Sequence, residues 1–275
     1  MNKKSNKRSA FVFPLHEPHF DFGHNLISSF NKYYEEYKIF VVFSNDLEKE
    51  SFYLKYPNLS FESLVFPYRI DKGVINKKKY FGINEIFNNY PFEYIGCIDS
   101  ECLFLKRVDI DKRFSSFYKR GKLFANLISN ELTSAVIKSP LKFFSSEQQE
   151  KLRVILHAER AYFWFNEIPI YHKETFQNFI RELNIFERFS DITWYDFDFI
   201  TYAYYCLLHQ KLKLIIVIKK INSFGRNGIL ESQFKIGRFT FNRLLFTIRP
   251  NWIKKMGRFY RHPFISFHHD RPEDD

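Results

Sequence analysis

Tyr94-Ile95-Gly96-Cys97-Ile98-Asp99-Ser100-Glu101-Cys102-Leu103-Phe104 is the stretch on which the fold turns. Phe92 to Ile98 is a short apolar run of the kind that forms a buried strand, and it opens directly onto Asp99. Two carboxylates at i and i+2 follow, and the chain then returns to apolar residues. Acids set inside apolar sequence are costly unless something compensates them. A buried strand that ends in such a pair fits an open α/β sheet, where ligands sit in the crevice beyond the carboxyl ends of the strands.

The residues upstream have the same rhythm. Ala10 to Leu15 is an apolar run ended by Pro14, and Phe22 to Tyr37 carries Leu26, Phe30, Tyr33, Tyr34 and Tyr37 at helical spacing. Ile39 to Phe43 reads as a second buried strand, and Ser44-Asn45-Asp46 caps the helix after it. Leu64 to Phe66 is a brief third strand. Lys77 to Asn89 is helical by the spacing of Tyr80, Ile83, Ile86 and Phe87. Strands separated by helices of this length predict a mainly parallel central sheet with helices on both faces. Beyond Arg107 the pattern predicts strands at Leu123 to Ile128, Ala135 to Lys138 and Leu212 to Ile218. It predicts helices at Ser146 to His157, Glu174 to Phe186 and Trp194 to Gln210. The expected organisation is a domain over residues 1–231 with a C-terminal appendage over 232–275.

Composition narrows the class. The chain has 275 residues, 45% of them hydrophobic, with 35 Phe and 17 Tyr, enough apolar side chains for a sizeable core and too many for a disordered chain. With 9 Gly and 10 Pro, collagen-like and linker-like chains are excluded. Three cysteines at Cys97, Cys102 and Cys206 make neither a disulfide framework nor a zinc spacing, so a reducing, cytoplasmic setting is expected. No apolar run reaches the ~20 residues of a membrane-spanning helix.

The net charge of +11 is concentrated near the C-terminus. Between Ser232 and His269 stand Lys235, Arg238, Arg243, Arg249, Lys254, Lys255, Arg258 and Arg261 with no acid among them. Interleaved with Phe239, Phe241, Phe246, Trp252, Phe259 and Tyr260, they suit an anionic membrane surface at the inner face. They also match the basic-aromatic pattern of single-stranded nucleic-acid binders, or the solvated face of a C-terminal helix. Nucleic acid is the least favoured of the three, because no zinc-finger, RRM or KH signature accompanies the charge.

The acidic motif in this setting resembles the glycosyltransferases of the GT-A fold, whose D-x-D motif ends an apolar strand. Here it stands as Asp99-Ser100-Glu101, with Glu in place of the second Asp. The matching context is Phe11-Val12-Phe13-Pro14 as first strand and Lys77-Lys78-Lys79-Tyr80 opening the helix before the motif. The likeness covers roughly residues 9–130, which would be the donor-binding half, with 131–231 as the acceptor half. It is closest to bacterial capsule and lipooligosaccharide sugar transferases. It implies a nucleotide-sugar donor, a UDP-sugar first, and Mn2+ or Mg2+ held by Asp99 and Glu101 beside Ser100. It further implies that Pro14, Leu15 and His16 line the nucleoside site and that Lys79 approaches the donor. The implied acceptor is a glycan or glycolipid.

An inverting transferase also needs a carboxylate to deprotonate the acceptor hydroxyl. Asp198 is the first candidate, Asp196 the second and Glu167 the third, each in aromatic surroundings; a retaining reaction needs no such base. Several metal-dependent enzymes of this fold take a third metal ligand from a C-terminal histidine, which puts His268 and His269 on the list. His16, His19 and His24 read instead as polar loop residues, since a hard cation prefers oxygen. The rival readings are a nucleotidyltransferase, which also pairs acids on a metal, and a basic nucleic-acid-binding protein.

Overall fold

The computed structural model describes residues 7–127, 131–163, 168–216 and 264–266. In chain order the first part runs β1 (Ser9–Pro14), α1 (Phe20–Tyr34), β2 (Lys38–Phe43), α2 (Asp46–Lys55), β3 (Glu62–Val65), α3 (Val74–Asn89) and β4 (Tyr94–Cys97). It continues through β5 (Cys102–Phe104), α4 (Ile110–Arg120), β6 (Lys122–Leu127), α5 (Glu131–Lys138), α6 (Ser146–Ile155) and β7 (Ala161–Tyr162). The last elements are β8 (Ile170–His172), α7 (Lys173–Glu182), α8 (Asp198–Leu208), β9 (Lys213–Ile216) and β10 (Phe264–Ser266).

The central sheet has the order β3-β2-β1-β4-β8. Strands β1 to β4 run parallel, and β8 joins the edge antiparallel to β4. The fold is therefore the expected α/β architecture, with a mainly parallel sheet flanked by helices. β1 is buried along its whole length because the sheet is covered on both faces. On one face Phe11 meets Phe30 of α1, Phe104 of β5 and Phe114 of α4 edge-on, at ring separations of 5.6, 5.2 and 5.4 Å. On the other face α3 lies against Val12 and Val42, and a Cβ added at Gly82 would stand 2.6 Å from Val42 Cγ2.

Sequence and structure part company in three places. Residues 135–138, expected as a strand, lie in α5. An apolar run that short does not distinguish the two states. The helix expected from Trp194 begins at Asp198, because Asp196 caps a turn from Thr193 before the helix starts. The helix expected over Glu174 to Phe186 ends at Glu182. Strand β8, from beyond residue 130, joins the central sheet at its edge. A second sheet, β7-β6-β9, and a small antiparallel pair, β10 with β5, complete the described structure.

Gly96 in β4 is where helix α4 comes closest to the sheet. A Cβ there would lie 2.7 Å from Phe114 Cζ and 2.9 Å from Phe11 Cδ1, inside contact distance on a packed aromatic cluster. Gly96→Ala is expected to destabilise the protein by about 1–3 kcal/mol through overpacking, read as a lower urea midpoint at unchanged m-value. An unchanged midpoint would show that the phenylalanine cluster yields freely.

Candidate functional site

The acidic motif forms a tight turn at the carboxyl edge of the sheet. Ile98 N still donates to Val12 O at 3.0 Å, and Cys102 N donates to Asp99 O at 3.0 Å, so Asp99 to Cys102 close a four-residue turn into β5. Ser100 and Glu101 are buried in it, whereas the Asp99 side chain keeps 26% of its surface exposed. The neighbouring wall is the end of β1. Leu15 N donates to Val42 O at 3.0 Å, and the next residue, His16, packs its ring 4.1 Å from that of His19. His19 Nδ1 lies 3.0 Å from Ser100 Oγ and 3.8 Å from Glu101 Oε1. The structure thus brings the chain end after β1 to the turn of Asp99, Ser100 and Glu101 through His16 and His19, whereas Pro14 and Leu15 are buried.

Helix α3 supplies the third wall with three consecutive buried lysines, each with its own acceptor. Lys77 pairs with Asp71. Lys78 Nζ donates to Leu15 O at 2.8 Å and to Ser44 Oγ at 2.7 Å, with Glu48 Oε2 at 3.8 Å, and so ties α3 to the ends of β1 and β2. Lys79 Nζ reaches Asp99 Oδ1 at 2.9 Å and Asp198 Oδ1 at 3.5 Å. Burial alone would push the Lys79 ammonium down, but the carboxylates of Asp198 and Asp99 outweigh it and hold the ammonium well above its ordinary pKa.

The two acids before and in α8 have different surroundings. Asp196 is fully buried and accepts from Ser139 Oγ and Lys142 Nζ, both at 2.6 Å, from Thr193 N at 2.7 Å and from Thr193 Oγ1 at 2.8 Å. Its oxygens are taken up in holding the turn before α8 to the 139–142 segment. Asp198 faces the crevice cluster from below: one oxygen pairs with Lys79, the other accepts from the Tyr171 hydroxyl, and the side chain is 3% exposed. Tyr80 Oη donates to the Asp198 backbone oxygen at 3.3 Å, which fixes the same residue from α3. Glu167, His268 and His269 lie outside the described residues. Ser266 does pair with Cys102, one residue from Glu101.

Among the described residues Lys79 bridges Asp99 and Asp198, and Glu101 lies beside His19. A divalent cation would let a negatively charged ligand approach these carboxylates. Such a cation shared with a diphosphate takes one or two carboxylates from the protein and its other oxygens from phosphate and water. Asp99 and Glu101 fit that modest demand in donor type. Among the described residues no three His, Cys, Asp or Glu side chains form a cage that would hold a metal without such help.

No protein-family model matches the chain, and no curated protein does. Among solved structures the chain is similar to core-mannan synthase A from Aspergillus fumigatus in its Mn/GDP form, at 10% identity and a TM-score of 0.42, over 77% of this chain and 73% of that one. At that level of superposition no residue correspondence is drawn.

Tyr171 is a residue of this cluster that the sequence did not name; of the histidines expected in loops, His19 instead meets Ser100 and His24 lies in α1, and Lys78 of the lysine run ties α3 to the sheet ends. One signal was present for the lysines: three and four positions after each stand only Tyr80, Phe81, Gly82 and Ile83. Helix faces continued by core residues are not solvated faces.

Burial lowers the Lys78 pKa to about 8, against the opposing pull of Glu48, from 10.5 in the unfolded chain. Below pH 8 both states hold the proton and this group adds no pH dependence. Between pH 8 and 10.5 the unfolded chain holds more of it, so rising pH favours the folded state. The stability of the wild type is therefore expected to climb relative to Lys78→Met from pH 8 to 10 in urea titrations; parallel profiles would show that Lys78 is not desolvated.

Proposed function

We propose that the protein is a nucleotide-sugar glycosyltransferase of the GT-A type that uses Mn2+ or Mg2+ and transfers a sugar to a glycan or glycolipid acceptor. The observation that carries this reading is the acidic turn Asp99-Ser100-Glu101 at the carboxyl edge of a parallel sheet, sharing one crevice with the end of β1 and with Lys79. Ligands of open α/β sheets bind at that edge. A divalent cation held by Asp99 and Glu101 would neutralise the negative charge that develops on a departing nucleoside diphosphate.

The chain's own groups divide the remaining work. Pro14 and Leu15 are buried, so His16 is the residue at the end of β1 proposed to border a nucleoside. His19 keeps Ser100 and Glu101 in place through its ring nitrogen. Asp198, the first candidate for acceptor base, is buried beneath Lys79, and its proposed role is to anchor that ammonium. Glu167 is then the carboxylate to test as base. The pairing of Ser266 with Cys102 supports a role for His268 or His269 near the motif, since these residues follow within three positions. Among the described residues no helix is long and apolar enough to cross a membrane. Contact with an anionic membrane surface is proposed for the basic tail 232–275, of which only residues 264–266 are described.

The test is thermal melting with a panel of UDP-, GDP- and CMP-sugars, each with and without Mn2+. A donor that binds only the folded state at ~100 times its Kd adds about 2.7 kcal/mol, or on the order of 5 °C for a chain of this size. A shift that requires Mn2+ and is lost in Asp99→Asn is expected, together with loss of sugar transfer in that variant. Stabilisation by nucleoside triphosphates alone would favour a nucleotidyltransferase. An unchanged, metal-independent shift in Asp99→Asn would remove Asp99 from the site.

A further inference from the structure

Lys79 sits between two carboxylates that differ in one respect. Asp198 is 3% exposed and is fixed from below by the Tyr171 hydroxyl, while Asp99 is 26% exposed and stands at the crevice edge. The shorter of the two ion pairs, 2.9 Å against 3.5 Å, is to the exposed partner. The Lys79 side chain is itself only a tenth exposed, and its ammonium is held between these two carboxylates. It thus has two seats, and one of them is the carboxylate proposed to bind a divalent cation.

An ammonium and a divalent cation repel one another when they share one carboxylate, and in a crevice poor in water the repulsion is weakly screened. We propose that Lys79 is a displaceable counter-ion: it neutralises Asp99 in the free protein and must withdraw onto Asp198 before Asp99 accepts the cation. This rests on the reading of Asp99 as a metal ligand. A withdrawn Lys79 keeps its charge and faces whatever anion accompanies the cation, so a diphosphate entering the crevice gains the ammonium that Asp99 gives up. Cation and diphosphate are then coupled: each favours the arrangement of Lys79 that the other needs, and by linkage the effect is reciprocal. Asp198 is in this account a positioning residue, because it is the fixed seat that makes withdrawal affordable inside the fold.

Removing Lys79 alone would strand Asp198 as a buried unpaired charge, which destabilises proteins strongly. The test therefore uses full-length wild type, Lys79→Met and the double variant Lys79→Met/Asp198→Asn, which removes both sides of the inner pair. Mn2+ binding is followed by water-proton relaxation, without nucleotide and with UDP or GDP. Both variants are expected to bind Mn2+ alone at least ten-fold more tightly than wild type, with that binding abolished by adding Asp99→Asn. UDP or GDP is expected to raise Mn2+ affinity by ~5–150-fold in wild type, the usual range of such coupling, and by much less in the variants. Equal Mn2+ affinity in wild type and the double variant, sensitive to Asp99→Asn, would overturn the exchange while leaving Asp99 a ligand. Absence of Mn2+ binding in every form, with or without nucleotide, would overturn both.

Discussion

A buried ammonium has to be paired, and α3 buries three in succession. Each side chain of Lys77 to Lys79 leaves the helix about 100° from the last, so the three reach different partners: a loop acid, the ends of β1 and β2, and the acidic turn after β4. Helix, sheet edge and turn are thereby held in one relation by charge-assisted bonds that cannot be given up singly without stranding a charge.

Packing sets where those lysines stand. Gly82 lets α3 lie directly on Val12 and Val42, and Gly96 lets α4 lie on the opposite face of the same sheet. The phenylalanines around Phe11 fill the space between β1, α1, α4 and β5, so the turn that carries Asp99 and Glu101 rests on a cluster of edge-on rings. Such a cluster is dense and stiff. The turn that carries the acids is held from one side by this core and from the other by His19 and Lys79. The abundance of Phe, which as composition says little about function, thus serves the site indirectly.

The sequence was most legible where local pattern and tertiary environment agree. Apolar runs long enough to be covered on both faces gave β1, β2 and β4, and the helical spacing of Tyr80, Ile83, Ile86 and Phe87 gave α3. It was least legible where a residue's neighbours come from far along the chain. Asp196 and Asp198, two positions apart, looked like alternative bases on one helix. One is consumed by Ser139, Lys142 and Thr193 in a turn, and the other by Lys79 and Tyr171. Lys79 itself was placed near the donor, but its partners across the crevice were invisible, since Asp99 and Asp198 stand 20 and 119 positions away.

By itself the sequence determined the class of the fold, the parallel order of its first strands and the position of the acidic pair at a strand end. Those follow from short-range periodicity and from the cost of placing carboxylates in apolar sequence. Only the tertiary structure decided which acids share the ammonium of Lys79, which of those two is sealed in and which stays open, and that an edge strand of the sheet comes from the second half of the chain. Those outcomes depend on contacts between residues distant in sequence, and on burial, which converts an ordinary lysine run into three obligatory ion or hydrogen-bond partners.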